Sequence, residues 1–196
     1  MLLKASSTVL LLLMGVIFTP FAQAHGVTTE MTGLIAGVVH PLTGADHMLA
    51  AVAAGLWAAL AGSATFRSIT AAFLGMLGLG AFAGLAGIPL SLAEPAIALS
   101  VITLGVLIVL RVHVPRVAGY AVMGGFALFH GYAHAVEMPM TASMVWYAAG
   151  LLLTTSFLLI SGIALGRWLR QAESQVPVRL VGGFVALIGS LLLVSA

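Results

Sequence analysis

From Met31 to Ser195 the chain is a succession of apolar runs, most about the length that crosses a bilayer, separated by short breaks that hold nearly all of its charge. A hydrocarbon core about 30 Å thick takes about 20 consecutive apolar residues in a helix. Backbone polar groups at that depth must be satisfied within the segment itself. Hydropathy and punctuation divide the chain into six expected spans, at residues 31–61, 68–87, 94–111, 118–135, 144–167 and 179–195, with breaks at GSATFR, IPLSLAE, RVHVPR, EMPMTAS and RWLRQAESQVPVR. The fold class this implies is all-α, a polytopic transmembrane helix bundle. The connections are too short for an extramembrane domain, so residues 25–196 read as one six-helix transmembrane domain.

Composition agrees, with 62% hydrophobic and 6% charged residues, against about 25% charged in soluble domains. The net charge of +2 comes from seven Lys/Arg against five Asp/Glu, too few to form a nucleic-acid surface. No cysteine is present, which removes disulfides, thiolate metal sites and Cys nucleophiles. A bound metal would have to use His, carboxylate, Met or backbone oxygen.

Residues 1–24 read as a signal peptide: Lys4, the apolar run VLLLLMGVIF, Pro20, and the small-residue end Ala22-Gln23-Ala24. Cleavage there would make His25 the mature N-terminus. The competing reading is an uncleaved anchor helix. Arg67, Arg111, Arg116, Arg167, Arg170 and Arg179 all fall in the first, third and fifth breaks, whereas the second and fourth hold only Glu94 and Glu137. The positive-inside rule then puts the first, third and fifth connections in the cytoplasm and both mature termini outside it. That placement agrees with an N-terminal export signal. Small residues four apart, Gly33/Gly37, Gly80/Gly84 and Gly162/Gly166, favour close helix packing.

The first span is too long to be a straight crossing, since 31 residues at 1.5 Å each extend about 46 Å. Within it lies HPLTGADH, residues 40–47. Pro41 removes a backbone donor and Gly44 relaxes the chain. A kink or interruption is expected there, with Asp46 and His47 beginning the second half. Irregular backbone at membrane depth is tolerated where it is buried in protein or lines a cavity.

After the signal, ionisable side chains within or bordering the spans form two groups: His40, Asp46 and His47, and then His130, His134 and Glu137 in FHGYAHAVE. A charge near mid-bilayer costs at least about 2.5–3.5 kcal/mol on insertion scales, so such residues face a bundle interior and find partners. His130, His134 and Glu137 stand at i, i+4 and i+7, which aligns two imidazoles and a carboxylate on one helical face. His40 and His47 share a face if the helix continues through the kink. Asp46 is placed either to ligate or to fix an imidazole tautomer. Both groups fall in the outer half or middle of the membrane, at matching depth for one shared site. The competing reading is polar residues that hold helices together.

Imidazole and carboxylate without thiolate suit Ni²⁺, Co²⁺ or Zn²⁺, and ligand type alone leaves iron, manganese and copper open. His25, once exposed, offers an α-amine and an imidazole at the outer mouth, or is incidental to processing. His113 reads as solvated between Arg111 and Arg116. Met138, Met140 and Met144 would favour Cu⁺ if they faced the site, but methionine commonly fills gaps.

HPLTGADH and FHGYAHAVE together resemble the paired signatures of the HupE/UreJ family, small bacterial membrane proteins associated with nickel-dependent hydrogenase and urease. The resemblance extends over the mature chain. It implies a nickel or cobalt permease of the bacterial inner membrane, both termini periplasmic, with no permanent cofactor and a divalent metal as cargo, Ni²⁺ or Co²⁺ ahead of Zn²⁺. On the matching residues it implies a pathway through His40, Asp46, His47, His130, His134 and Glu137. Ala135 departs from the glycine expected at its position and would add a methyl beside the site. The competing functions are an intramembrane zinc-dependent hydrolase, for which Ser156 and Ser161 are available, a haem or quinone carrier, and a non-transporting metal-binding accessory protein. Beyond the metal and the lipid bilayer, a homo-oligomer is left open as a partner.

Overall fold

The computed structural model describes residues 29–61, 63–111 and 115–195. The expected signal peptide, His25 and His113 lie outside these residues. Among the described residues there are seven helices and no strand: α1 (Thr29–Thr43), α2 (Ala45–Ala61), α3 (Ser63–Leu85), α4 (Ala93–Leu110), α5 (Arg116–Val136), α6 (Met144–Leu169) and α7 (Val176–Ser195).

The expected interruption of the first span is a break at Gly44 between α1 and α2, which are bent by 78° to one another. Pro41 is still inside α1: its ring removes one hydrogen bond of the ladder without ending the helix. The break belongs to the next residues. The Thr43 hydroxyl donates back to the His40 carbonyl at 2.9 Å, and Asp46 Oδ1 accepts the amide of His47 at 2.8 Å. That amide is one of the donors a new helix leaves unsatisfied in its first turn. Asp46 therefore helps to start α2 while Thr43 closes α1.

By length and composition, α4, α6 and α7 can each cross a membrane, and α1 with α2 form a fourth crossing if the bent pair is one span. The second expected span appears as α3, a helix of 23 residues. The fourth appears as α5, where His130 and His134 interrupt the apolar sequence. Large apolar side chains stay exposed in stripes at helical spacing, Leu153, Phe157 and Ile160 on α6 and Leu180, Phe184, Leu187 and Leu191 on α7. Such stripes suit lipid rather than water.

The helices associate as α1–α2 with α6, α3 with α5, and α4 with α7. Glycines permit these contacts, as the four-residue spacing suggested. Gly37 sits against the backbone of Tyr147 to Leu151, Gly80 against Leu128, Gly84 against Tyr132, and Gly162 against Val52 and Leu56. The registers give direction: Gly80–Leu128 and Gly84–Tyr132 make α3 and α5 parallel, whereas Gly105–Ala186 and Gly189–Ile102 make α4 and α7 antiparallel. Helix α2 is central, buried almost all round from Ala50 to Ala59. With Phe73, Leu77, Leu104, Ile108 and Met123, its Leu56 and Trp57 form the apolar core.

Candidate metal centre

Three segments meet where the first span breaks. His40 lies in the last turn of α1, His47 in the first turns of α2, and His130 and His134 on one face near the C-terminus of α5. The His47 ring is the hub: its centroid is 5.6 Å from that of His40, 5.2 Å from His130 and 4.3 Å from His134. His40 and His134 are 5.0 Å apart. The arrangement follows from the break, because the 78° turn at Gly44 lets two histidines seven residues apart approach one helix from different sides.

His40, His47 and His134 each offer one ligand atom within 4.8 Å of the others. On each of the same three residues a buried ring nitrogen lacks a hydrogen-bond partner: His40 Nε2, His47 Nε2 and His134 Nδ1. A buried polar atom without a hydrogen bond costs free energy, so three on residues this close together need an explanation. A cation is one that fits their chemistry, since neutral imidazole supplies a lone pair and the group is large enough to surround an ion.

Two carboxylates border this group. Asp46 Oδ1 lies 2.8 Å from His47 Nδ1, the arrangement in which an acid holds one imidazole N–H and leaves the other nitrogen to a metal. Glu137 Oε2 lies 3.0 Å from His40 Nε2. That contact is at ion-pair distance, at angles that do not make a hydrogen bond. Exposure is graded: the Glu137 side chain is 45% exposed, His40 23% and His47 6%, and His130 and His134 are buried. The open side is the end of the bundle without arginines, because Arg111, Arg167, Arg170 and Arg179 all flank the opposite helix ends.

Two contributors escaped the sequence reading. Ser100, in the middle of α4, is fully buried and 2.9 Å from His130 Nε2. Tyr147, at the start of α6, donates its hydroxyl to the His134 carbonyl at 3.1 Å and sets its ring beside His40. Each is a polar group in a largely apolar helix, and only the placement of α4 and α6 beside the histidine helices reveals its partner. Other residues stand apart. Met140 and Met144 are exposed, Met140 completely. Ser161 is bonded to the Phe157 carbonyl of its own helix. The Ala135 methyl lies at the α3 contact, opposite Gly84, so the departure from glycine is accommodated between helices.

The model of one protein family, described as HupE / UreJ protein, matches residues 11–192. Protein HupE of Rhizobium leguminosarum bv. viciae is 40% identical over 174 residues, which cover 89% of this chain and 91% of that protein. No solved structure matches the chain.

Proposed function

The chain belongs to the HupE/UreJ family, and on that premise we propose that it is a nickel or cobalt permease of the bacterial inner membrane, supplying metal for hydrogenase or urease maturation. The observation that carries this reading is that His40, His47 and His134 each offer a ligand atom within 4.8 Å of the others, with a buried ring nitrogen on each that makes no hydrogen bond. The helix directions support six spans: α1–α2 and α6 run together, α3 and α5 run together, and α4 opposes α7, as strict alternation across a bilayer requires. With the arginine-bearing ends in the cytoplasm, the histidines face the periplasm and both termini lie there.

A hydrated ion arriving from outside meets Glu137 first, with His25 of the mature N-terminus as a further ligand at the mouth. It then exchanges water for the nitrogens of His40, His47 and His134. Three imidazoles leave positions for water, so the ion is stripped in steps and held loosely enough to leave, as conduction demands. His130 is the next ligand inward. Beyond it, toward the arginine end, Leu56, Trp57, Leu104, Ile108 and Met123 are each at most 2% exposed. Inward release therefore requires these helices to separate, and the break at Gly44 is the hinge on which α1 moves against α2.

The hydrolase reading has less support, because Ser161 donates its hydroxyl to the Phe157 carbonyl and Ser100 to the Ile97 carbonyl, so neither is free to assist a metal-bound water. Uptake of radioactive nickel and cobalt into proteoliposomes tests the proposal. The parent chain accumulates metal inside sealed vesicles, whereas His47→Ala and His130→Ala, inserted at equal density, do not. Metal that binds the parent without entering the vesicles would identify an accessory protein instead.

A further inference from the structure

Ser100 lies on α4, a helix with no part in either histidine motif, yet it touches the innermost histidine. A serine hydroxyl has one proton to donate, and a neutral imidazole has one donor nitrogen and one acceptor nitrogen. The Ser100 proton is already committed, because Oγ lies 2.6 Å from the Ile97 carbonyl oxygen, which can only accept. The 2.9 Å contact between Ser100 Oγ and His130 Nε2 then needs its proton from the imidazole. Both groups are buried, Ser100 completely and His130 to 3% exposure, so no bulk water competes for that bond.

We infer that Ser100 is a positioning residue that holds His130 as the Nε2–H tautomer, leaving Nδ1 as the only nitrogen through which His130 takes a metal ion. The consequence for transport rests on the permease reading above. His47 is held the opposite way, with Nδ1 on Asp46 and Nε2 unpartnered. Two neighbouring rings, 5.2 Å apart, thus offer different nitrogens to the same passing ion. Their holders also differ in strength. A carboxylate makes its imidazole a better ligand, while a hydroxyl already spent on a carbonyl does so far less. His47 is therefore the tighter ligand and His130 the looser one, which suits a site from which the ion departs inward.

The test is ¹⁵N NMR of the full chain in lipid nanodiscs, metal-free, with ring-labelled histidine and the His130 signals identified by their loss in His130→Gln. The parent shows His130 with a protonated Nε2 and a lone-pair Nδ1. Ser100→Thr keeps this pattern and parental nickel uptake. Ser100→Ala converts His130 to the other tautomer or to a mixture, and lowers uptake about tenfold, the lower end of the usual effect of losing a partner behind a metal ligand. A parent spectrum with protonated Nδ1 on His130 overturns the inference without any change being made at Ser100. So does a Ser100→Ala protein that keeps both the Nε2–H tautomer and parental uptake. Because the spectrum is recorded without metal, a parent chain that moves no nickel would end the permease reading and leave the tautomer assignment to be judged separately.

Discussion

Replacing Asp46 is the perturbation whose size the structure sets most directly. Its Oδ1 is 2.8 Å from both the backbone nitrogen and the ring Nδ1 of His47. Holding the proton on Nδ1 keeps the lone pair on Nε2, the nitrogen that lacks a partner. A hydrogen bond to a charged acceptor contributes about 1.5–3 kcal/mol. The Asp46 side chain is 30% exposed, so water competes and the lower part of that range, about 1.5–2 kcal/mol, applies. At about 1.4 kcal/mol per factor of ten, Asp46→Ala reduces the affinity for nickel about 10- to 30-fold. Asp46→Asn keeps a neutral acceptor, which contributes about 1 kcal/mol, and loses about two- to fivefold. Loss of the bond to the His47 amide also costs about 1 kcal/mol of stability, so both variants are compared well below their unfolding temperatures. Equilibrium dialysis against Ni²⁺ at neutral pH measures the series. Parental affinity in Asp46→Ala would show that the carboxylate does not orient His47 for a metal, and the reasoning would fall.

Helix packing predicts a contrast between two glycines. A Cβ at Gly131 would overlap the Leu77 carbonyl, whereas one at Gly78 meets nothing within 4 Å. Thermal unfolding in detergent should show Gly131→Ala destabilised by about 1–3 kcal/mol, and Gly78→Ala unchanged or stabilised by up to about 1 kcal/mol. Among residues near the site, His134→Gln abolishes nickel uptake, while Met140→Ala, at a fully exposed side chain, transports at the parental rate. At the opposite end, Arg170 Nη1 donates to the Ala59 carbonyl at 3.2 Å and satisfies the last turn of α2. Arg170→Ala lowers stability by about 1–2 kcal/mol and speeds hydrogen exchange at the C-terminus of α2.

The break in the first span was legible because proline and glycine interrupt a long apolar run, and the two histidine motifs because polar groups are costly at that depth. Which residue makes the break was not. Pro41 is the stronger signal in the sequence, yet the chain turns at Gly44, because the hydrogen bonds of Thr43 and Asp46 decide where one helix stops and the next begins. One expected span, at α5, is weak for a physical reason. The histidines that build the cluster also lower the apolar character of α5, so the helix that matters most to the site is among the least obvious as a span. Ser100 and Tyr147 stayed hidden because their partners lie on other helices, and periodicity reports which face a residue occupies but not what lies opposite. Ala135 shows the converse: its place in the motif suggested the site, and the packing against Gly84 puts it elsewhere.

The central claim is that the two motifs share one ion. X-ray absorption at the metal edge of the nickel-loaded chain tests it most directly. The account predicts an inner shell of nitrogen and oxygen with multiple scattering from three imidazoles, reduced by one in each of His40→Ala, His47→Ala and His134→Ala. A spectrum of oxygen ligands alone, the same in the parent and in all three variants, would contradict it.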